Sequence, residues 1–418
     1  MFRKHETEVL VVGAGPVGLY TALLLAEQGI RVQIVEEQWR AASRSYALAL
    51  HPASLRLLAE LDLAEQLVTV GNRVDRLVFY DQMQRSGELR FSDLGRDFPF
   101  VLVLPQEALE DVLRDRLKRQ GVDVLWNHRV AQFSPGEERV KIQIEKLGKD
   151  SSGYAVSGTE WVIDKSLEKK AGFLVGADGH RSTVRKALGI DFKAVGPAQT
   201  FAVFEFTSDG PAYNEMRVVF DEEGTSVLWP MGNGRFRWSF EMKAADDVVD
   251  PRVKSRLFVQ IRDDSHPHVS EEQLAEFISQ RAPWFEANIT DLLWSAVIRF
   301  ERRLAQSFGG QRVWLVGDAG HLVFPVGIQS MNIGFKEASR LSQHLLSALR
   351  AGSSVDALTA YESECLEEWN ELLGISGSVE VSEGAEGWVR AYSDRIPSCI
   401  PASGTDLKRL LRGIGLLL

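Results

Sequence analysis

The sequence predicts an α/β fold: a mostly parallel sheet with its helices, an interleaved antiparallel β-sheet, and a helical segment at the C-terminal end. Three observations carry that expectation. An apolar run at Val9–Val12 ends in Gly13-Ala14-Gly15-Pro16-Val17-Gly18 and opens a helix-period segment. Two later apolar runs, Phe173–Val175 and Val313–Val316, also end in Gly and Asp turns. Between them, from Phe201 to about Arg303, strand-like runs dominate.

The first run sets the organisation. Val17, Leu24 and Leu25 have helical spacing, the segment stops at Gly29, and a second apolar run ends at Glu36. Strand, tight turn, helix, strand and acid make a Rossmann-like dinucleotide-binding unit. Gly13 allows the turn, Gly15 lets the backbone approach a pyrophosphate, and Gly18 lets helix and strand pack closely. Pro16 and Val17 open the helix, whose unpaired N–H groups and positive dipole end suit phosphate. Glu36 lies 23 positions after Gly13, where an acid accepts bonds from ribose hydroxyls, and Glu37 adjoins it. The pattern alone does not separate FAD from NAD(P), and a glycine-rich turn without ligand is the plainer alternative.

Bulk properties bound the function. A chain of 418 residues, 44 % of them hydrophobic, can bury a core for two or three domains. A formal charge of −10 argues against nucleic acid as a main partner. Only Cys365 and Cys399 are present, far apart and in no metal-like spacing, so neither a disulfide framework nor a metal site is expected and a reducing cytoplasm fits. No run reaches the roughly 20 apolar residues of a membrane span, and the N-terminal residues lack the apolar core of a signal peptide.

After Glu36 a loop carries Arg44, placed to reach cofactor phosphate or a flavin edge, or simply exposed; a helical segment follows from His51 to Leu61. Residues 76–91 alternate as a β-hairpin. Pro105 opens a helix with Gln106 in its first turn and Leu109, Val112, Leu113 and Leu117 on one face, closed by Gly121. Val140–Ile144 and Gly158–Ile163 read as a hairpin joined by a polar loop from Lys146. The turn Gly176-Ala177-Asp178-Gly179 after the next strand suits a phosphate or ribose.

In the following block, strands are expected at Phe201–Phe206, Met216–Phe220, Ser226–Trp229, Arg235–Met242 and Trp294–Arg299, and helices at Asp250–Ile261 and Glu271–Arg281. Its many aromatics read mainly as core. Asp318 could hold a ribityl or ribose hydroxyl, whereas His321 reads as a structural hydrogen bond at its turn. A long helix then carries Ala338, Leu341, Leu345 and Leu349 on one face. Another runs from about Val355 to Leu373, and residues 374–387 read as loop. The terminal apolar face of Leu407, Leu410, Leu411, Ile414 and Leu418 is expected to pack on the parent fold.

The order of Gly13–Gly18, then Gly176-Ala177-Asp178-Gly179, then Gly317-Asp318 followed by Pro325-Val326-Gly327 and Met331-Asn332 resembles the FAD-dependent monooxygenases of the aromatic-hydroxylase class, the para-hydroxybenzoate hydroxylase-like flavoproteins. The resemblance spans roughly residues 5–370. It implies that Gly13, Gly15 and Gly18 receive the FAD pyrophosphate and Glu36 the adenosine ribose. Gln106 looks like the family's FAD-contacting glutamine. Asp178 resembles the acid serving FAD and NAD(P)H, and Asp318 the ribityl ligand. Pro325, Gly327, Gln329, Ser330, Met331 and Asn332 belong to the loop along the isoalloxazine ring.

This chain departs from the family's Pro-Pro-x-Gly-Gly-Gln-Gly-Met-Asn: Phe324 stands for a proline, and Ile328 and Ser330 for glycines, adding Cβ atoms that restrict the backbone. Arg44 lies two positions before the family's usual arginine, where Tyr46 stands. The implied organisation is an FAD-binding domain from 1–75, 101–180 and 304–354, a substrate domain from 76–100 and 181–303, and a helical segment from 355–418. The implied activity is NAD(P)H- and O2-dependent hydroxylation of an aromatic or polycyclic small molecule through a flavin C4a-hydroperoxide. The alternative is an FAD-dependent reductase or dehydrogenase without oxygen insertion.

Overall fold

Residues 7–39, 49–150, 160–210, 214–243, 269–351 and 358–418 are described in the computed structural model. The chain begins with β1 (Thr7–Val12), α1 (Pro16–Glu27) and β2 (Val32–Glu36). The hairpin β3 (Arg76–Asp81) and β4 (Gln84–Arg90) precedes α2 (Gln106–Arg119) and β5 (Val124–Trp126). Next come β6 (Val140–Asp150) and β7 (Glu160–Gly176). The second block holds β8 (Gln199–Ser208), β9 (Glu215–Phe220), β10 (Thr225–Gly232), β11 (Arg235–Met242), α3 (Glu271–Arg281) and β12 (Ile289–Phe300). β13 (Val313–Leu315), α4 (Gln329–Ala351), α5 (Thr359–Leu372) and α6 (Gly404–Gly413) follow.

The first sheet runs Gly309–Gly310, β13, β7, β1, β2, β5, with β6 paired to β7. β1 is its central strand, parallel to β7 on one side and β2 on the other. Val9, Leu10 and Val11 are fully buried there, as an unbroken apolar run requires when both faces of a strand are covered. α1 packs against α2 and α4.

One expected loop is in part a strand. β6 continues through Asp150, pairing Leu147 with Ile163 after a register shift at Lys146. β7 is a single strand of 17 residues that serves both the hairpin and the parallel sheet. No Gly or Pro lies between Ile163 and Ala171 to break the strand, and polar side chains are tolerated where a hairpin faces water. Residues 151–159 lie outside the described residues, as does the expected helix at Asp250–Ile261.

The second sheet has the order β12, β8, β11, β10, β9, β3, β4 and is antiparallel except where β9 meets β3. Strand alternation gives it two apolar faces. Ala202, Phe204, Phe206, Trp238 and Phe240 pack beneath α3, whose start is fixed by a capping box between Ser270 and Gln273. Val203, Val227, Trp229, Ala296 and Ile298 face Val326 and Ile328 and the C-terminal Leu407, Leu410 and Leu411. The terminal apolar face is thus buried on this chain's own sheet. The short pair Glu380–Val381 with Leu416–Leu417 is a strand contact inside the region expected to loop.

Candidate functional site

Register brings three strand ends to one edge. Val12 lies level with Gly176 and Val35, and Gly176 with Leu315. The Gly13 N–H donates to the Val35 carbonyl at 2.8 Å, Ala177 N–H to Val12 at 2.8 Å, and Val316 N–H to Gly176 at 3.0 Å. Gly13 has φ +104°, and a Cβ there would stand 2.3 Å from the Ala177 carbonyl oxygen. A Cβ on Gly18 would stand 2.2 Å from the Gly13 oxygen.

Gly15 is different: no atom lies within 4 Å of where its Cβ would be. It caps α1 with no side-chain bond, Pro16 follows, and no acid occupies the first turn. That helix end offers N–H groups and open space to an anion, which fits a pyrophosphate. Val17 instead points inward: Cβ atoms on Gly317 or Gly334 would meet its side chain at 3.1 and 2.7 Å. Glu36 closes over the loop, accepting from Ala14 N–H and Gln38 N–H, both at 2.8 Å. Glu37 is half-buried beside it. Arg44 lies outside the described residues.

Gln106 begins α2 and donates to Glu110 Oε1 at 2.7 Å. Glu110 is buried, and burial pushes its carboxyl up to about 7; the Glu36 charge adds to this, while the Gln106 bond and Arg114 oppose it. The sign follows from linkage. The folded chain keeps Glu110 protonated where the unfolded chain has already ionised, so stability falls as pH rises towards 7 and stays low above it. Glu110→Gln is expected to change stability little at pH 4 and to raise it by about 2–3 kcal/mol at pH 8. Urea denaturation at both pH values tests this, and an equal effect at both contradicts it.

Asp178 accepts from Ser182 Oγ at 2.5 Å, Thr183 N–H at 2.7 Å, Thr183 Oγ1 at 2.9 Å and Val184 N–H at 3.1 Å. It thereby takes the first two N–H groups of the short helix Thr183–Ala187, whose N-cap is Ser182. From that helix Arg185 donates to the Ala319 carbonyl at 2.7 Å and the His180 carbonyl at 2.9 Å, tying the second strand end to the third. Asp318 Oδ1 accepts from Ser330 Oγ at 2.6 Å. His321 reaches across to α4 rather than bonding within its turn, with Nδ1 at 3.2 Å from Ser330 Oγ and Nε2 at 3.0 Å from Glu337 Oε2.

The side chains of the 325–332 loop mostly hold the loop itself. Gln329 Nε2 donates to the Pro397 and Ile400 carbonyls at 3.1 and 3.2 Å. Asn332 Nδ2 donates to Ala49 and Ile328 carbonyls at 3.0 and 2.8 Å, while its Oδ1 accepts from His51 N–H at 2.8 Å and Ser54 Oγ at 2.7 Å. Met331 is buried in the core of the first sheet. His51 Nε2 donates to the Gly327 carbonyl at 2.9 Å, and burial pushes that imidazole down to about 3. Ile328, where the family pattern has glycine, keeps a glycine-like φ of +49°. A β-branched residue there stores about 1–3 kcal/mol of strain, balanced by the apolar contacts that bury it.

Between Pro325 and Ile328 on one side and the second sheet on the other lies a small cleft of about 20 Å³. Val203, Val227, Trp229 and Phe300 give it apolar walls; Arg237 and Ser239 are its polar groups. Arg237 Nε donates to Glu205 Oε1 at 2.9 Å. Of the cleft residues, Val203, Val227, Arg237, Ser239 and Phe300 were not singled out from sequence, and neither was Glu337. The alternation Arg235-Phe236-Arg237-Trp238-Ser239-Phe240 was the available signal, since it puts charge on one face of a buried strand.

A family model described as "FAD binding domain" matches residues 6–373. The chain belongs to the FAD-binding aromatic-hydroxylase family of flavin monooxygenases. FAD is that family's cofactor, with NAD(P)H typical. The chain is 29 % identical over 373 residues to 6-methylpretetramide 4-monooxygenase of Streptomyces rimosus, covering 88 % of this chain and 60 % of that protein. It is 28 % identical over 365 residues to the uncharacterized aromatic compound monooxygenase YhjG of Bacillus subtilis, covering 87 % and 66 %. The chain thus spans less than two thirds of the length of these relatives. In fold it resembles p-nitrophenol 4-monooxygenase PnpA from Pseudomonas putida DLL-E4, with TM-score 0.73 at 21 % identity over 98 % of this chain and 96 % of that one. No helix among the described residues is long and apolar enough to cross a membrane, and no group of three His, Cys, Asp or Glu among them could hold a metal ion.

Proposed function

We propose that this family member is an FAD-dependent, NAD(P)H-consuming monooxygenase that hydroxylates an electron-rich aromatic or polycyclic molecule. The observation that carries the reading is the small cleft between the Pro325–Ile328 loop and the β8–β10–β11 face, where Val203, Val227, Trp229 and Phe300 stand beside Arg237 and Ser239. Relatives named for 6-methylpretetramide and anhydrotetracycline support a polycyclic substrate. The bound flavin would supply the redox chemistry, using NAD(P)H and O2.

The chain's own part is binding, orientation and water exclusion. The backbone from Gly13 to Gly18 would cradle the pyrophosphate, Glu36 and Glu37 the adenosine ribose, and Gln106 a further edge. Asp178 would shape the second strand end, and Asp318 would accept from a ribityl hydroxyl. Pro325, Gly327, Gln329, Ser330, Met331 and Asn332 would present the loop backbone to the ring. Trp229 and Phe300 would flank a planar substrate, with Arg237 and Ser239 orienting its hydroxyl or carbonyl. Two free, buried cysteines suit a reducing cytoplasm.

The test is NAD(P)H oxidation and oxygen uptake by purified, FAD-loaded protein across a panel of phenols and polycyclic phenols. At least one should accelerate both together. NAD(P)H oxidation that converts an organic acceptor without oxygen uptake would replace this reading with the reductase alternative.

A further inference from the structure

A hydrogen-bonded chain runs from the half-exposed edge of the cofactor site into the core. Asp318 Oδ1 lies 2.6 Å from Ser330 Oγ, Ser330 Oγ 3.2 Å from His321 Nδ1, and His321 Nε2 3.0 Å from Glu337 Oε2. The inner end is fixed as an acceptor. Gly317 N–H and Trp369 Nε1–H, donors that cannot reverse, reach Glu337 Oε2 at 2.9 Å and Oε1 at 2.6 Å. His321, Glu337 and Trp369 are fully buried, and the Trp369 ring stacks on His321 at 3.9 Å, fixing its orientation.

With Glu337 a carboxylate, His321 Nε2 must carry a hydrogen. Ser330 then has one hydroxyl hydrogen for two neighbours. If it points to an Asp318 carboxylate, His321 Nδ1 must also be protonated and the ring is an imidazolium. If it points to His321 Nδ1, Asp318 must carry the proton. A neutral ring beside two carboxylates would set lone pair against lone pair at one of the two contacts, in surroundings that penalise it.

We propose that Asp318, Ser330 and His321 form a one-proton relay. The extra proton is shared between His321 Nδ1 and Asp318 Oδ1 through the Ser330 hydroxyl. In one direction the His321 Nδ1–H bond breaks as a new Ser330 Oγ–H forms, while the original Ser330 O–H breaks and Asp318 Oδ1–H forms. Imidazolium becomes imidazole, carboxylate becomes carboxylic acid, and no other reactant is needed. Asp318 can thereby present either an acceptor or a donor at the cofactor edge. Only this purpose rests on the flavin reading; the relay itself rests on the distances.

The experiment uses full-length protein at pH 7, with and without FAD, carrying ¹⁵N-histidine and ¹³C-carboxyl aspartate, read by NMR and infrared difference spectra. Wild type should show one of two signatures: a doubly protonated histidine that disappears in His321→Gln, or a protonated aspartic carboxyl that disappears in Asp318→Asn. Ser330→Ala should lose that signature, and Ser330→Thr, which keeps a hydroxyl, should retain it. Absence of both signatures in wild type, or a signature unchanged in Ser330→Ala, overturns the relay. A signature in protein that binds no FAD would instead overturn the flavin reading and leave the relay standing.

Discussion

Gly13→Ala is expected to give a protein that purifies without flavin and unfolds several kcal/mol more easily than wild type. The added Cβ would stand 2.3 Å from the Ala177 oxygen and 2.7 Å from its carbonyl carbon. That backbone cannot retreat, because Ala177 N–H is bonded to Val12 in the neighbouring strand. A φ of +104° in an alanine costs about 1–3 kcal/mol, and overpacking adds about 1–3 more. Both act against a total stability of about 5–15 kcal/mol. Gly15→Ala is the matched comparison, since its Cβ would meet nothing in the chain. It should unfold like wild type yet lose FAD affinity at least about tenfold, because the space it fills is the one assigned to the pyrophosphate. Chemical denaturation and FAD titration separate the two effects. Wild-type FAD affinity in Gly15→Ala would remove the pyrophosphate from that position.

Glu337→Ala should cost about 3–5 kcal/mol, because it strips the acceptor from three donors at once in a fully buried place. Gly317 N–H, His321 Nε2 and Trp369 Nε1 all reach this one carboxylate. Gly317 directly precedes Asp318, so FAD affinity should fall with stability. A stability loss below about 1 kcal/mol in urea denaturation would mean that other groups take over these donors.

The fold was legible where local chemistry and tertiary packing agree. β1, α1 and β2 follow from the glycine spacing and the apolar runs, and α3 has the bounds that its period gives. β11 likewise spans the residues its alternation indicates. The long β7 was not legible, because its middle, Asp164–Lys170, is polar and takes its strand partner from β6 rather than from any pattern of its own.

In the candidate site, the motifs located strand ends well but could not say where side chains point. Gln329 and Asn332 sit in a flavin-loop motif, yet their amides are bonded to Pro397, Ile400 and Ala49 carbonyls. These partners lie 68, 71 and 283 positions away in the chain, and no spacing rule encodes such contacts. Glu337 hides for the same reason: an acid one position before the apolar Ala338 looks like a helix-surface charge until Gly317 and Trp369 close on it. Ile328 shows the converse. The substitution of a glycine was visible, but that the backbone would keep the glycine conformation depends on the apolar cluster that receives its side chain.

The most direct measurement is the fate of dioxygen. FAD-loaded protein, NAD(P)H and an accepted polycyclic phenol are incubated under ¹⁸O2, and the product is weighed by mass spectrometry. The account predicts one ¹⁸O atom in each molecule of product, with none taken from water. Product that forms at the same rate without label would contradict it.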